Sequence, residues 1–96
     1  MICNSLDEVR SNIDRIDDNI IKLIAERGTY VSQASKFKKN EEGVKDTSRV
    51  EKVIQKVRDK ALNCGANPDM VETLYRQMIA SFVKMEMKEF HHHNGA

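Results

Sequence analysis

Leu6, Val9, Ile13, Ile16, Ile20 and Leu23 recur at alternating steps of three and four, with polar and charged residues between them. That spacing places the apolar side chains on one stripe of an α-helix and has the form of a heptad seam. The same steps continue through Arg27, Tyr30, Ala34 and Phe37. No proline interrupts them, and Gly28 is the only weak helix former inside. Ser5 and Glu8 supply an S-x-x-E capping box, and Asp7 sits in the first turn, where the helix dipole favours an acid. The pattern predicts a first helix from about Leu6 to about Lys39.

Asn40 to Lys45 breaks the periodicity with Asn40, Glu41, Glu42 and Gly43 and reads as a polar loop. Asp46 or Ser48 can cap a second helix, Ser48 forming another S-x-x-E box with Glu51. Its apolar stripe is Val50, Val53, Ile54, Val57, Ala61 and Leu62, and Gly65 suits the position just past its end. Asn67 followed by Pro68 is an N-cap with proline at the first helical position. The third helix then carries Val71, Leu74, Tyr75, Met78, Ile79, Phe82 and Met85 on its buried face and ends near Phe90. The expected class is all-α, with three helices per chain and a long first one.

A first helix of that extent is roughly 50 Å long at about 1.5 Å per residue. A compact domain of about 100 residues has a radius of gyration of only about 13 Å. The helix would overhang a globular monomer and leave half its seam in water, so a second copy alongside, an intertwined helical homodimer, is expected. Residues 1–90 are read as one helical domain. Residues 91–96, which include His91, His92 and His93, are read as a disordered tail or tag remnant. Three adjacent histidines cannot all face one ion from a helix, so no metal site is expected there.

Composition narrows the partners. Sixteen Lys and Arg stand against 15 Asp and Glu, a net charge of +1, which provides no broad field for nucleic acid or an anionic membrane. No apolar run approaches the ~20 residues of a membrane span, and no signal-peptide core is visible at the N-terminus. Cys3 and Cys64 match no CxxC pattern and read as reduced thiols, which places the chain in the cytoplasm. The glycines make no GxGxxG or P-loop, and no histidine outside the tail is present to serve as a base. Neither cofactor nor metal is expected.

The residues that break the apolar pattern carry the chemistry. Arg27 occupies a seam position, where a buried charge needs an anion. Lys38 lies eleven residues on, which in a continuous helix is a rotation of about 20° and a rise of about 16 Å. Two long cations on one face can grip a small ligand with separated acidic or polar oxygens. Arg10 is about 25 Å from Arg27 along the same axis and about 100° around it, so it joins that cluster only from a partner chain. Arg49 opens the second helix just after the loop, and Glu86 interrupts the apolar stripe of the third.

Arg10, Arg27, Lys38 and the segment Val44-Lys45-Asp46-Thr47-Ser48-Arg49 resemble, in order and spacing, the all-helical chorismate mutases. The resemblance extends from about Leu6 to Phe90 and implies two intertwined three-helix chains. It further implies that Arg10 is donated across the interface, that Arg27 binds a substrate carboxylate, that Lys38 binds the ether oxygen, and that Arg49 helps hold the substrate. The implied reaction is the one-step pericyclic rearrangement of chorismate to prephenate in aromatic amino-acid biosynthesis. It needs a held conformer and stabilised charge on the ether oxygen, with no nucleophile or metal.

Three positions depart from the mutase pattern. Val50 stands where a glutamate commonly binds the ring hydroxyl, Phe82 replaces a serine, and Glu86 replaces the glutamine that donates to the ether oxygen. Fungal mutases of this fold also carry glutamate there, and it acts only when protonated. Val50 and the stretch Tyr30 to Lys38 also resemble the isochorismate pyruvate lyases of salicylate formation, the alternative reading, whereas Asp46 matches the mutase loop. A different class, a non-catalytic helical module whose seam binds a partner helix, predicts Arg27 paired internally and no pocket.

Overall fold

A computed structural model of the chain describes residues 2–94, except for the side chains of His93 and Asn94. It contains α1 (Leu6–Ser35), α2 (Glu41–Lys45), α3 (Thr47–Cys64) and α4 (Pro68–Asn94), with no strand among the described residues. The class is all-α, with three long helices and one short one. Two compact units are present, Met1–Tyr30 and Val31–Ala96.

The first unit holds most of α1. Ser5 caps it, its Oγ accepting from Glu8 N at 3.1 Å. The Glu8 carboxylate returns to Asn4 N at 2.7 Å, one residue earlier than the reciprocal bond of a standard capping box. The heptad seam is in place but open: Ile13, Ile16 and Ile20 are each about half exposed, and Leu6 and Leu23 more so.

α1 stops at Ser35, short of the expected Lys39. Its last bonds tighten to i→i−3, with Lys36, Phe37 and Lys38 donating to Gln33, Ala34 and Ser35. Such tightening is a common way for a helix to end. Phe37, the last residue of the periodic pattern, is 84 % exposed, so no burial favours another turn. Lys38 therefore lies beyond the helix, and the straight-helix rotation and rise from Arg27 do not apply to it.

The second unit contains the core: Val44, Ile54, Ala61, Ile79 and Phe90 are buried. The expected loop at Asn40–Lys45 is instead a short helix, α2, capped by Asn40 Oδ1 accepting from Gly43 N at 2.8 Å. Val44, 3 % exposed, anchors it, and α2 packs against α4. Asp46 closes α2 with its N–H on Glu42 O and caps α3 with Oδ1 on Arg49 N at 3.1 Å. Asp46, not Ser48, is thus the cap, at a φ of 28° in the left-handed region that Asp tolerates better than most residues. α3 ends at Gly65 with φ 79°, and Ala66 N reaches back to Ala61 O.

Asn67 Oδ1 accepts from Asp69 N and Met70 N and so starts α4. Replacing Asn67 by alanine is expected to cost about 1 kcal/mol, the usual worth of an N-cap, read as a lower midpoint in urea at unchanged slope. Across the α3–α4 hairpin, Arg58 pairs with Asp69 and Glu72, and Arg76 bridges Glu72 to both oxygens of Glu51. Ile79, Glu86 and Phe90 are the buried residues of α4's packed stripe, with Tyr75 and Phe82 half-buried beside them. Leu74 and Met85 on α4, and Leu62 on α3, were expected inside and are instead exposed.

α4 runs past Phe90 to Asn94. His91 Nε2 lies 3.1 Å from Glu41 Oε1, which ties the end of α4 to α2. Of the expected tail, Gly95 and Ala96 lie outside the described residues. Among the described residues no helix is long and apolar enough to cross a membrane.

Candidate functional site

Three segments of the second unit meet around Glu86. The turn after α1 supplies Lys38, α2 supplies the Gly43 carbonyl, and α4 supplies Glu86 and Glu89. Glu86 is on the inner stripe because it follows Ile79 by seven residues and precedes Phe90 by four, one face of a helix. It is 6 % exposed. Its Oε2 lies 3.8 Å from Lys38 Nζ, close enough for an ion pair and too long for a hydrogen bond. Among the described residues that oxygen has no hydrogen-bond partner.

Burial pushes the Glu86 carboxyl above the ordinary carboxylate value; the Lys38 charge opposes this and the Glu89 charge adds to it. The net direction is toward the protonated acid. Lys38 Nζ donates to Gly43 O at 2.9 Å, using one of its three protons and leaving two to point elsewhere. A cation and a buried acid, side by side, offer two donors to one developing negative charge.

A second polar layer lies behind this pair. Ser32 Oγ donates to Glu89 Oε2 at 2.7 Å. Ser35, 1 % exposed, has its Oγ 2.6 Å from Ser32 O and 3.4 Å from the same Glu89 oxygen. A hydroxyl has one proton, so the shorter bond to Ser32 O takes it and the Glu89 contact is the weaker. Sequence reasoning assigned no role to Ser32, Ser35 or Glu89. The available signal was two serines three apart at the end of a helix, and an acid three residues beyond Glu86.

Of the residues singled out from the pattern, Lys38 and Glu86 are brought together. Arg49 and Val50 stand in the first turn of α3, Arg49 exposed and Val50 half-buried. The Asp46 side chain is engaged in capping that turn. Phe82 is half-buried on α4, one turn before Glu86. Arg10 and Arg27 belong to the first unit, Arg10 exposed and Arg27 half-buried. No group of three or more His, Cys, Asp or Glu able to hold a metal ion is found among the described residues.

A family model described as chorismate mutase type II matches residues 9–87. An isochorismate pyruvate lyase of Pseudomonas aeruginosa is 31 % identical over 94 residues, covering 98 % of this chain and 93 % of the relative. A bifunctional chorismate mutase/prephenate dehydratase of Buchnera aphidicola is 30 % identical over 95 residues. That match covers 95 % of this chain but 25 % of the relative, so the chain spans a quarter of that protein's length.

Proposed function

The chain belongs to the chorismate mutase type II family, and we propose that it rearranges chorismate to prephenate in aromatic amino-acid biosynthesis, in the cytoplasm. The observation that carries this reading is the pairing of Lys38 with Glu86, a buried acid one of whose oxygens has no hydrogen-bond partner among the described residues. The reaction breaks an ether bond as a carbon–carbon bond forms, and negative charge grows on the ether oxygen. Lys38 and the protonated Glu86 donate to that oxygen, and donors fixed before the reaction need no reorganisation during it. Arg27 and Arg49 hold the substrate carboxylates and thereby favour the compact conformer. Asp46 acts by fixing the turn that carries Arg49 and Val50. Val50 and Phe82 give apolar contact where mutases commonly present a glutamate and a serine.

The protein acts as a homodimer, in which each site receives Arg10 from the neighbouring chain. Residues 1–90 then form one catalytic domain, completed by a second copy that covers the apolar seam of α1. Mixing the protein with chorismate and following its disappearance and prephenate formation tests the activity. Inert protein would favour a helical interaction module.

A second reading has its own support. Val50 stands where a mutase commonly carries glutamate, and the Pseudomonas relative, named a lyase, is matched over nearly its whole length. On that reading the same cations promote loss of pyruvate from isochorismate. Supplying isochorismate and measuring salicylate separates the two.

Glu86 works on the ether oxygen only as the acid. Its proton is retained below its raised folded value and lost as pH rises through it, so turnover is expected to be higher on the acid side of that value than on the alkaline side. Glu86→Gln, a permanent donor, should flatten that limb of the kcat profile. A wild-type profile already flat across the range would sink the assignment.

A further inference from the structure

We propose that Glu89 is a positioning residue: a carboxylate fixed by the Ser32 hydroxyl, less than one helical turn from Glu86, whose charge acts together with burial to favour the acid form of Glu86 that can donate. The proposal rests on the role given to Glu86 above, and it assigns work to three residues outside the substrate clamp. Residues three apart on a helix have Cβ atoms about 5–6 Å from each other, so two carboxylates at 86 and 89 repel if both ionise. Glu86 is the more deeply buried of the two and has an oxygen with no hydrogen-bond partner among the described residues. Glu89 instead receives the Ser32 hydroxyl at 2.7 Å, with Ser35 beside it at 3.4 Å. Burial and the missing hydrogen bond disfavour a charge on Glu86, and the neighbouring Glu89 carboxylate adds to that preference for the acid.

Ser32 does more than satisfy Glu89. A glutamate near the end of an exposed helix would swing outward, where water and salt screen its charge. The bond to Ser32 ties it to α1, 57 residues away in the chain. Ser35 Oγ, bonded to Ser32 O at 2.6 Å, holds the backbone beneath that hydroxyl. The charged groups acting on Glu86 are Lys38, from the turn after α1, and Glu89, from its own helix. From α2 comes the Gly43 carbonyl that holds Lys38, while Glu41 on α2 is paired with His91. α3 packs on α4 with Ile54 and Ala61 buried. Burial is the first influence holding Glu86 in the acid form, Lys38 draws it toward ionisation, and Glu89 is the charge that acts with burial against Lys38.

The test is the titration of Glu86 by carboxyl carbon NMR in the intact protein, its resonance assigned by its loss in Glu86→Gln. Glu89→Gln keeps the acceptor for Ser32 and removes only the charge. Its Glu86 midpoint is expected to fall by about half to two pH units, roughly threefold to a hundredfold in proton affinity. Ser32→Ala, which releases Glu89 without touching its charge, should lower the midpoint in the same direction by less. An unchanged midpoint in folded Glu89→Gln overturns the proposal; if that variant does not fold, an unchanged midpoint in Ser32→Ala does so. In turnover, the limb lost at high pH should move down in parallel with the NMR midpoint. A shifted midpoint with pH-independent turnover would uphold the Glu89–Glu86 coupling and defeat the catalytic role of Glu86, so the two failures are distinguishable.

Discussion

Replacing Lys38 by alanine is expected to lower kcat for chorismate by about a thousandfold or more while leaving a folded protein. Removing one donor to a developing oxyanion typically costs about 10²–10³ in kcat, and a charged donor is roughly twice as strong as a neutral one. The structural cost is smaller. Lys38 is a quarter exposed, and the bond lost is the one from Nζ to Gly43 O at 2.9 Å, worth about 1 kcal/mol net. Circular dichroism and the urea midpoint should therefore change little. The same substitution removes the cation 3.8 Å from Glu86, so the residual activity should retain its low-pH advantage to higher pH than the wild type. Residual kcat within tenfold of wild type would mean that Lys38 does not meet the developing charge, and the site would need another donor.

The helix ends were legible because their chemistry is local. Ser5, Gly65 and Asn67 each cap within four residues of themselves and do so in the structure. What the sequence pattern misjudged depends on packing at a distance. The heptad steps run on through Phe37, yet nothing covers that ring and the helix ends before it. Asn40 to Lys45 is polar enough to read as a loop, and only Val44 buried against the rest of the second unit shows why it coils into α2. The site divides in the same way. Lys38 and Glu86 stand out because a charge on an apolar pattern demands an explanation. Ser32, Ser35 and Glu89 carry no such mark, and their connection appears only when the last turn of α1, within the second unit, meets Glu89 of α4. Leu74 and Met85 fall within the helical spacing that predicts the buried face of α4, but in the structure α4 buries one stripe and leaves a second open.

That second stripe and the open seam of α1 lead to the other large effect, which is expected from mixing two dead enzymes. Leu6, Ile13, Ile16, Ile20, Leu23 and Ile24 are all between 40 % and 62 % exposed in the single chain. Taking such a side chain from full exposure to full burial is worth about 1.5–3 kcal/mol; these are already about half covered, so a second copy over the seam is expected to gain roughly half of that at each. Arg10 lies on the same helix and is exposed. If it serves the neighbour's site, Arg10→Ala and Arg27→Ala chains should each be inactive alone. Unfolded together and refolded, they should recover about a quarter of wild-type activity: random pairing makes half the dimers mixed, and each mixed dimer has one intact site of two. If Arg10 acts within its own chain, every chain in the mixture remains defective and recovery is zero. Ile16→Glu separates assembly from chemistry, because a charge on the seam should release monomers on a sizing column and abolish turnover with Arg10, Arg27 and Lys38 all present. Monomers that still rearrange chorismate, or mixtures that stay inert while both variants fold and dimerise, would remove Arg10 from the site and leave the clamp to a single chain.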